Sequence, residues 1–281
     1  MSTPSRPVIL LVDNGSLEPA ATLGLRSLAA ALSVRTGRLI EPVSLLHSSA
    51  VPAEALGGMP AEILEPALEQ RLAAGVREFV LVPLFLGPSG ALTDYLPKRL
   101  ARLKAKWPDL VVRLAAPVAG EGGCDPRVVD LLEEGVRGVL SAGGRPAVAL
   151  VDHGSPARAV TALRDEVAVA LRDRLGEAVR VVRAASMERR PGSEYAFADP
   201  LLEHLLDAPG FDDGDVVIAM FFLLPGRHAG PAGDVAQICA AAQGRHPGLR
   251  TLMTPTLGTH PGLIPILADR LAAGAVGAPR I

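Results

Sequence analysis

Three side chains lying far apart along the chain could together handle a metal ion: His153, Glu188 and His228. Two imidazoles and a carboxylate suit a divalent first-row transition metal and leave coordination positions open for a substrate. Their separations, 35 and 40 residues, match no short metal-binding signature. Each ends an apolar run, however: PAVALVD precedes His153, VRVVRAASM precedes Glu188, and DVVIAMFFLLPGR precedes His228. If these runs are parallel strands, ligands gather at their carboxyl ends, and all three residues fall on one rim of a sheet.

The elements needed to position them can be read from the pattern. Apolar runs at 8–12, 79–86, 147–151, 179–184 and 215–224 have strand length and are apolar on both faces, as covered parallel strands are. Segments of helical period at 17–33, 60–74, 157–175 and 198–206 lie between them. This alternation predicts an α/β chain of right-handed crossovers and open, flavodoxin-like parallel sheets. The chain also repeats itself. LLVDNGS at 10–16 returns as ALVDHGS at 149–155, a shift of 139 residues, and three further blocks follow in the same order. PVSLLHSSAVP (42–52) answers RAASMERRPGS (183–193), the segment 77–97 answers 214–234, and 113–132 answers 251–271. Four ordered blocks indicate duplication. The expected domains are 1–140, degenerate, and 147–281, carrying the metal site, joined by the Gly/Pro-containing SAGGRP at 141–146. In this alignment Asn14 stands for His153, His47 for Glu188 and Ala91 for His228, so the first half keeps the frame and loses the centre. It would serve as the opposite wall of a cleft.

Composition excludes other classes. With 49% hydrophobic and 21% charged residues and net charge −2, the chain reads as a soluble globular protein without a nucleic-acid surface. Cys124 and Cys239 form no C-x-x-C pair, which fits a reducing compartment. The start lacks signal-peptide character, and VVIAMFFLLP is too short to span a bilayer, so a cytoplasmic location is expected. Asp152 reads as a turn cap or a supporting charge, and Gly154 with Ser155 as a tight turn whose amides could receive an anion. D-H-G-S is not G-x-S-x-G, which argues against a nucleophilic Ser155. His204, His246 and His260 read as surface or structural residues.

At VDHGSP (151–156), the SME ending at Glu188, FFLLPGRHAGPAGD (221–234) and PTLGTHPGLIPILADRL (255–271), the sequence resembles the class II tetrapyrrole chelatases, particularly sirohydrochlorin cobalt chelatases. The resemblance covers the whole chain as two modules. It implies insertion of a divalent metal into sirohydrochlorin or a related tetrapyrrole, Co²⁺ first for cobalamin, with Fe²⁺ or Ni²⁺ as alternatives and no nucleotide consumed. His153 and His228 would hold metal and move protons, assisted by Glu188. The substrate's many carboxylates would meet Ser155, Arg189, Arg190 and Arg227, with Arg183 beside them. The glycine-rich loop 225–234 would move to admit the macrocycle. Iron insertion for sirohaem and a non-catalytic carrier of metal or tetrapyrrole remain as alternatives. A tandem chain can imitate the dimer of a single-module relative, which favours a monomer.

Overall fold

The computed structural model describes residues 6–120, 122–140 and 144–277. Residues 141–143 of the expected linker lie outside the described residues. In chain order the elements are β1 (Val8–Asp13), α1 (Pro19–Thr36), β2 (Ile40–Ser44), α2 (Leu64–Ala73), β3 (Glu78–Pro83), α3 (Leu96–Lys106), β4 (Val111–Leu114) and α4 (Pro126–Val139). The same order then recurs as β5 (Ala147–Asp152), α5 (Arg158–Leu175), β6 (Val181–Ser186), α6 (Leu202–Leu205), β7 (Gly214–Met220), α7 (Asp234–Arg245), β8 (Leu249–Met253) and α8 (Leu263–Gly277). Two four-stranded parallel sheets result, ordered β2-β1-β3-β4 and β6-β5-β7-β8.

The central strands are buried from end to end. All six residues of β5 are inaccessible or nearly so, because helices cover both faces of the sheet. Burying a Val or Leu side chain contributes about 1.5–3 kcal/mol, so AVALVD anchors its sheet and fixes where the turn after Asp152 begins. No helix among the described residues is long and apolar enough to cross a membrane.

The compact units and the sequence repeats do not coincide. One unit comprises Met1–Glu121 with Gly262–Ile281, the other Gly122–Pro261. Each repeat's last helix therefore belongs to the unit built on the other repeat's sheet, and the boundaries expected at 140 and 147 give the repeats rather than the folded bodies. In the first unit α8 packs on α1, β3 and β4, and Arg270 donates to the carbonyls of Pro117 and Val118 at 3.1 and 3.0 Å. In the second, α4 lays Val128, Val129, Leu132 and Val136 against α5 and β7.

Candidate functional site

Two backbone hydrogen bonds extend the β5–β6 pairing beyond the strands: Met187 N–H donates to Asp152 O at 2.8 Å and Glu188 N–H to His153 O at 3.2 Å. They place Glu188 beside His153, with Oε1 3.5 Å from the imidazole Nε2. Gly154 makes this possible. Its φ is +91°, and a β-carbon there would collide with the carbonyl oxygen of Glu188. Gly154→Ala is expected to cost at least about 2 kcal/mol in urea unfolding, from left-handed strain and displaced backbone together; a change below about 0.5 kcal/mol would show that the turn relaxes freely.

The histidine after β7 is placed differently. The chain leaves the strand at Met220 and runs through Phe221–Arg227 before His228, whose carbonyl accepts the Val235 N–H at 3.2 Å and ties the loop to the start of α7. His228 Nδ1 lies 2.5 Å from Asp234 Oδ2. A carboxylate only accepts, so Nδ1 carries the proton and the lone pair sits on Nε2. His153 is fixed in the same tautomer by its Nδ1 contact of 2.9 Å to the Gly154 carbonyl. The two rings stand 4.6 Å apart between centroids at 72°. Two imidazoles with basic Nε2 atoms thus meet at one sheet rim, half-exposed, each with a carboxylate beside it, Glu188 at His153 and Asp234 at His228. Among the described residues no group of three His, Cys, Asp or Glu side chains is gathered tightly enough to hold a metal ion by itself.

Beneath the rim lies a buried network invisible in the motif strings. Arg164, on α5 and 1% exposed, donates to Ser186 Oγ at 2.6 Å, to Ala198 O at 3.0 Å and twice to Asp165. Ser186 in turn donates to Asp152 Oδ1 at 2.8 Å, and Arg164 Nη1 is 3.7 Å from that oxygen. Burial pushes the Asp152 carboxyl above the ordinary range, opposed by the Arg164 charge and the Ser186 hydroxyl. The network clamps the ends of β5 and β6, where His153 and Glu188 emerge. Asp152 is therefore a buried partner of Ser186 that also receives a hydrogen bond from the Gly154 backbone at the start of the turn. The turn is closed by Ser155, whose Oγ accepts the Ala157 N–H at 3.1 Å, as Ser16 accepts the Glu18 N–H at 3.0 Å in the other unit.

That unit corrects one alignment. Asp13 pairs with Ser44 in β-register as Asp152 does with Ser186, and Leu46 N–H donates to Asn14 O as Glu188 N–H does to His153 O. The counterpart of Glu188 is Leu46, and His47 corresponds to Arg189. Ala91, the counterpart of His228, opens a π-helical turn, Ala91–Tyr95, that runs directly into α3. The first unit thus holds Asn14, Leu46 and Ala91 where the second holds His153, Glu188 and His228. Leu25 stands where α5 carries Arg164, leaving Asp13 without a buried cation.

Burial raises the Asp13 carboxyl to about 6, with the Ser44 hydroxyl pulling the other way. An acid harder to ionise when folded opposes folding. In the unfolded chain it ionises near 3.8, so the penalty grows from about pH 4 to about pH 6 and is complete above that. It amounts to about 3 kcal/mol. Asp13→Asn is expected to be more stable than the parent at pH 8, with the difference closing toward pH 4; a gap independent of pH would refute this origin.

The expected carboxylate-binding arginines divide. Arg227 is exposed, 3.9 Å from Asp234, and Arg190 stands over the Tyr195 ring at 5.9 Å. Arg189 is engaged within its own loop, with Asp199 at 2.8 Å and the carbonyls of Arg190 and Gly192 at 3.3 Å. Arg183 is not at the rim: it pairs with Ala149 in the middle of β6. His204 is exposed beside Glu203, His246 bonds Asp207 at 2.7 Å, and His260 bonds Glu134 at 3.0 Å. Asp234 and Arg164 were missed from sequence. Asp234 lies within the GRHAGPAGD string, and Arg164 stands three residues after Thr161 and three before Val167 in the buried stripe of α5.

Comparison with known proteins agrees with this architecture. The CbiX family model matches residues 8–139 and again 147–273. Among solved structures, SirB from Bacillus subtilis with Fe³⁺ superposes with a TM-score of 0.72 at 15% identity, covering 97% of this chain and 96% of that one. The sirohydrochlorin chelatase SirB from Bacillus subtilis subspecies spizizenii in complex with cobalt gives 0.68 at 16% identity, covering 96% of each chain. CbiX, described as the terminal enzyme for siroheme biosynthesis in denitrifying bacteria, gives 0.59 at 17% identity, covering 95% and 99%. A search of curated protein sequences found no match. Matched across nearly all of its length by two successive copies of one family model, this chain belongs to the CbiX family.

Proposed function

We propose that the protein is a metallochelatase that inserts a divalent metal ion into sirohydrochlorin or a closely related tetrapyrrole without consuming a nucleotide. The observation that carries this reading is the His153–His228 pair: two imidazoles 4.6 Å apart at the carboxyl ends of one parallel sheet, each with its Nδ1 proton committed elsewhere. Membership of the CbiX family and the chelatase neighbours support it. The metal here is a substrate. Nε2 of each histidine can hold it weakly beside the macrocycle, and insertion requires the ring to release two N–H protons as it gains the cation. When the metal passes to the ring nitrogens, each Nε2 regains its lone pair and can accept one of those protons. Glu188 offsets the resulting imidazolium charge at His153. Asp234 does the same for His228 and keeps its ring oriented, as carboxylates behind metal-handling histidines do. Arg190 and Arg227 would meet the substrate's carboxylates.

Absorbance spectroscopy of sirohydrochlorin with Co²⁺ and catalytic protein tests this directly. Many equivalents converted per chain is the expected result, and conversion that stops near one equivalent would make the protein a carrier. Cobalt insertion for cobalamin is the first reading. Iron is the second, favoured by the Fe³⁺ in one SirB neighbour and the siroheme role of the CbiX neighbour. Running the assay with competing metals separates them, since imidazole and carboxylate donors accept both ions. Asn14→Ala is expected to leave the rate within about twofold, because the active pair belongs to the second unit; a loss matching that of His153→Ala would refute this division.

A further inference from the structure

His228 reaches the rim from the loop PGRHAGPAGD, and two of the loop's three glycines are tightly packed. A β-carbon at Gly233 would lie 2.6 Å from the carbonyl oxygens of both Arg227 and His228 and 2.8 Å from the His228 carbonyl carbon. One at Gly230 would lie 2.9 Å from the Gly226 carbonyl oxygen. All of these atoms are backbone, so a side chain at either place must displace the peptide it meets. Gly233 has φ −74°, open to any residue, and what demands glycine there is close approach alone.

Hydrogen bonds close the same loop. Gly230 N–H donates to Gly226 O and Gly233 N–H to Gly230 O, both at 2.9 Å, and Asp234 N–H reaches Arg227 O at 3.4 Å. Gln237, on the first turn of α7, donates from its side-chain amide to Ala232 O at 3.0 Å. Val235 holds the His228 carbonyl and Asp234 holds its ring, so the residue is fixed through peptide and side chain alike. The glycines serve close packing where their number in the sequence suggested movement. The first unit provides the contrast. The Leu84 and Phe221 amides donate to the matched carbonyls of Val12 and Val151, and counting on from them sets Ala91 against His228, Thr93 against Gly230 and Leu96 against Gly233. There the segment winds into the π-helical turn and α3, with Leu96 buried. Where the histidine is absent, both glycines are absent as well.

We infer that Gly233 is a positioning residue for His228: lacking a side chain, it lets the start of α7 close on the Arg227 and His228 peptides, so that Asp234 meets Nδ1 and the ring stays beside His153. The inference rests on reading His228 as a metal- and proton-handling group. In the full-length chain Gly233→Ala should lower kcat for metal insertion about 100-fold, the cost of misplacing a reacting group by about 1 Å, with KM for the tetrapyrrole within about twofold. Gly244→Ala, on the same helix with open space around it, is the control and should keep the parent rate. Nitrogen-15 NMR of the imidazoles, with His228 assigned by its loss in His228→Ala, reads the ring without turnover. The neutral ring should be the Nδ1–H tautomer in the parent and depart from it in Gly233→Ala. Should that variant fail to fold, Gly230→Ala crowds the same loop less and should lower kcat about 3–10-fold, with a smaller change in the His228 signals. An unaltered His228 spectrum in the folded variant, or an unaltered rate beside an active parent, would overturn the inference. A parent that inserts no metal would instead strike the function proposed above and leave the spectral comparison standing.

Discussion

Replacing either His153 or His228 by alanine is expected to lower the rate of metal insertion about 10²–10⁴-fold, the range over which a positioned proton acceptor contributes. Folding should be intact, because both side chains are substantially exposed, at 48% and 31%. The double variant should be little slower than the worse single variant. In the mechanism we propose the two imidazoles handle one ion as a unit, and groups acting as a unit give strongly non-additive losses. Asp234→Asn offers a finer reading. The amide can accept the Nδ1 proton but carries no charge, so the imidazolium formed on insertion loses its counter-ion while the ring keeps its orientation. An intermediate loss, about 10–100-fold, is expected. A folded His153→Ala/His228→Ala protein that inserts metal at the parent rate, followed by the absorbance of the product, would remove the pair from the mechanism.

The second large effect concerns stability. Arg164→Leu installs in the second unit the residue that the first unit already has, and should destabilise by about 3–5 kcal/mol, the usual result of removing one partner from a buried ion pair. The loss leaves Asp152 buried with Ser186 as its remaining polar side-chain partner, and leaves the Ala198 carbonyl without its donor. Asp152→Asn in the same chain should recover a large part of this, because the amide removes the uncompensated charge. Circular dichroism under urea measures the whole protein, whereas the single tryptophan, Trp107, reports the first unit. Arg164→Leu is expected to lower the dichroism midpoint more than the Trp107 fluorescence midpoint. No recovery in the Asp152→Asn pairing would mean that Arg164 acts through packing alone.

The same network shows why part of the site escaped sequence reading. Strand-forming runs, helical period and the repeat at 139 residues are local or translational signals, and they sufficed to place His153 after β5 and His228 after β7 on one rim. Arg164 sits at a helix position whose neighbours are apolar, and a lone cation in an apolar stripe does not announce its partner. Ser186 and Ala198 lie 22 and 34 residues further on. The register of β2 against β6 also went astray by one residue. PVSLLHS and RAASMER are both mostly small or apolar, so letters alone do not choose between equating His47 and Leu46 with Glu188. The hydrogen bonds from Leu46 to Asn14 and from Glu188 to His153 do.

By itself the sequence determined that this is a duplicated α/β chain with imidazoles after the first and third strands of one copy and not of the other, because burial and strand direction are written into periodicity. Only the tertiary structure decided three things: that the rings of His153 and His228 meet, that Arg164 and Asp234 stand behind them, and that α4 and α8 each complete the sheet of the opposite repeat. An amphipathic helix specifies that it must cover an apolar surface and not which one, and a polar side chain specifies that it needs a partner and not where the partner lies; those choices are made by packing and hydrogen-bond geometry across the folded chain.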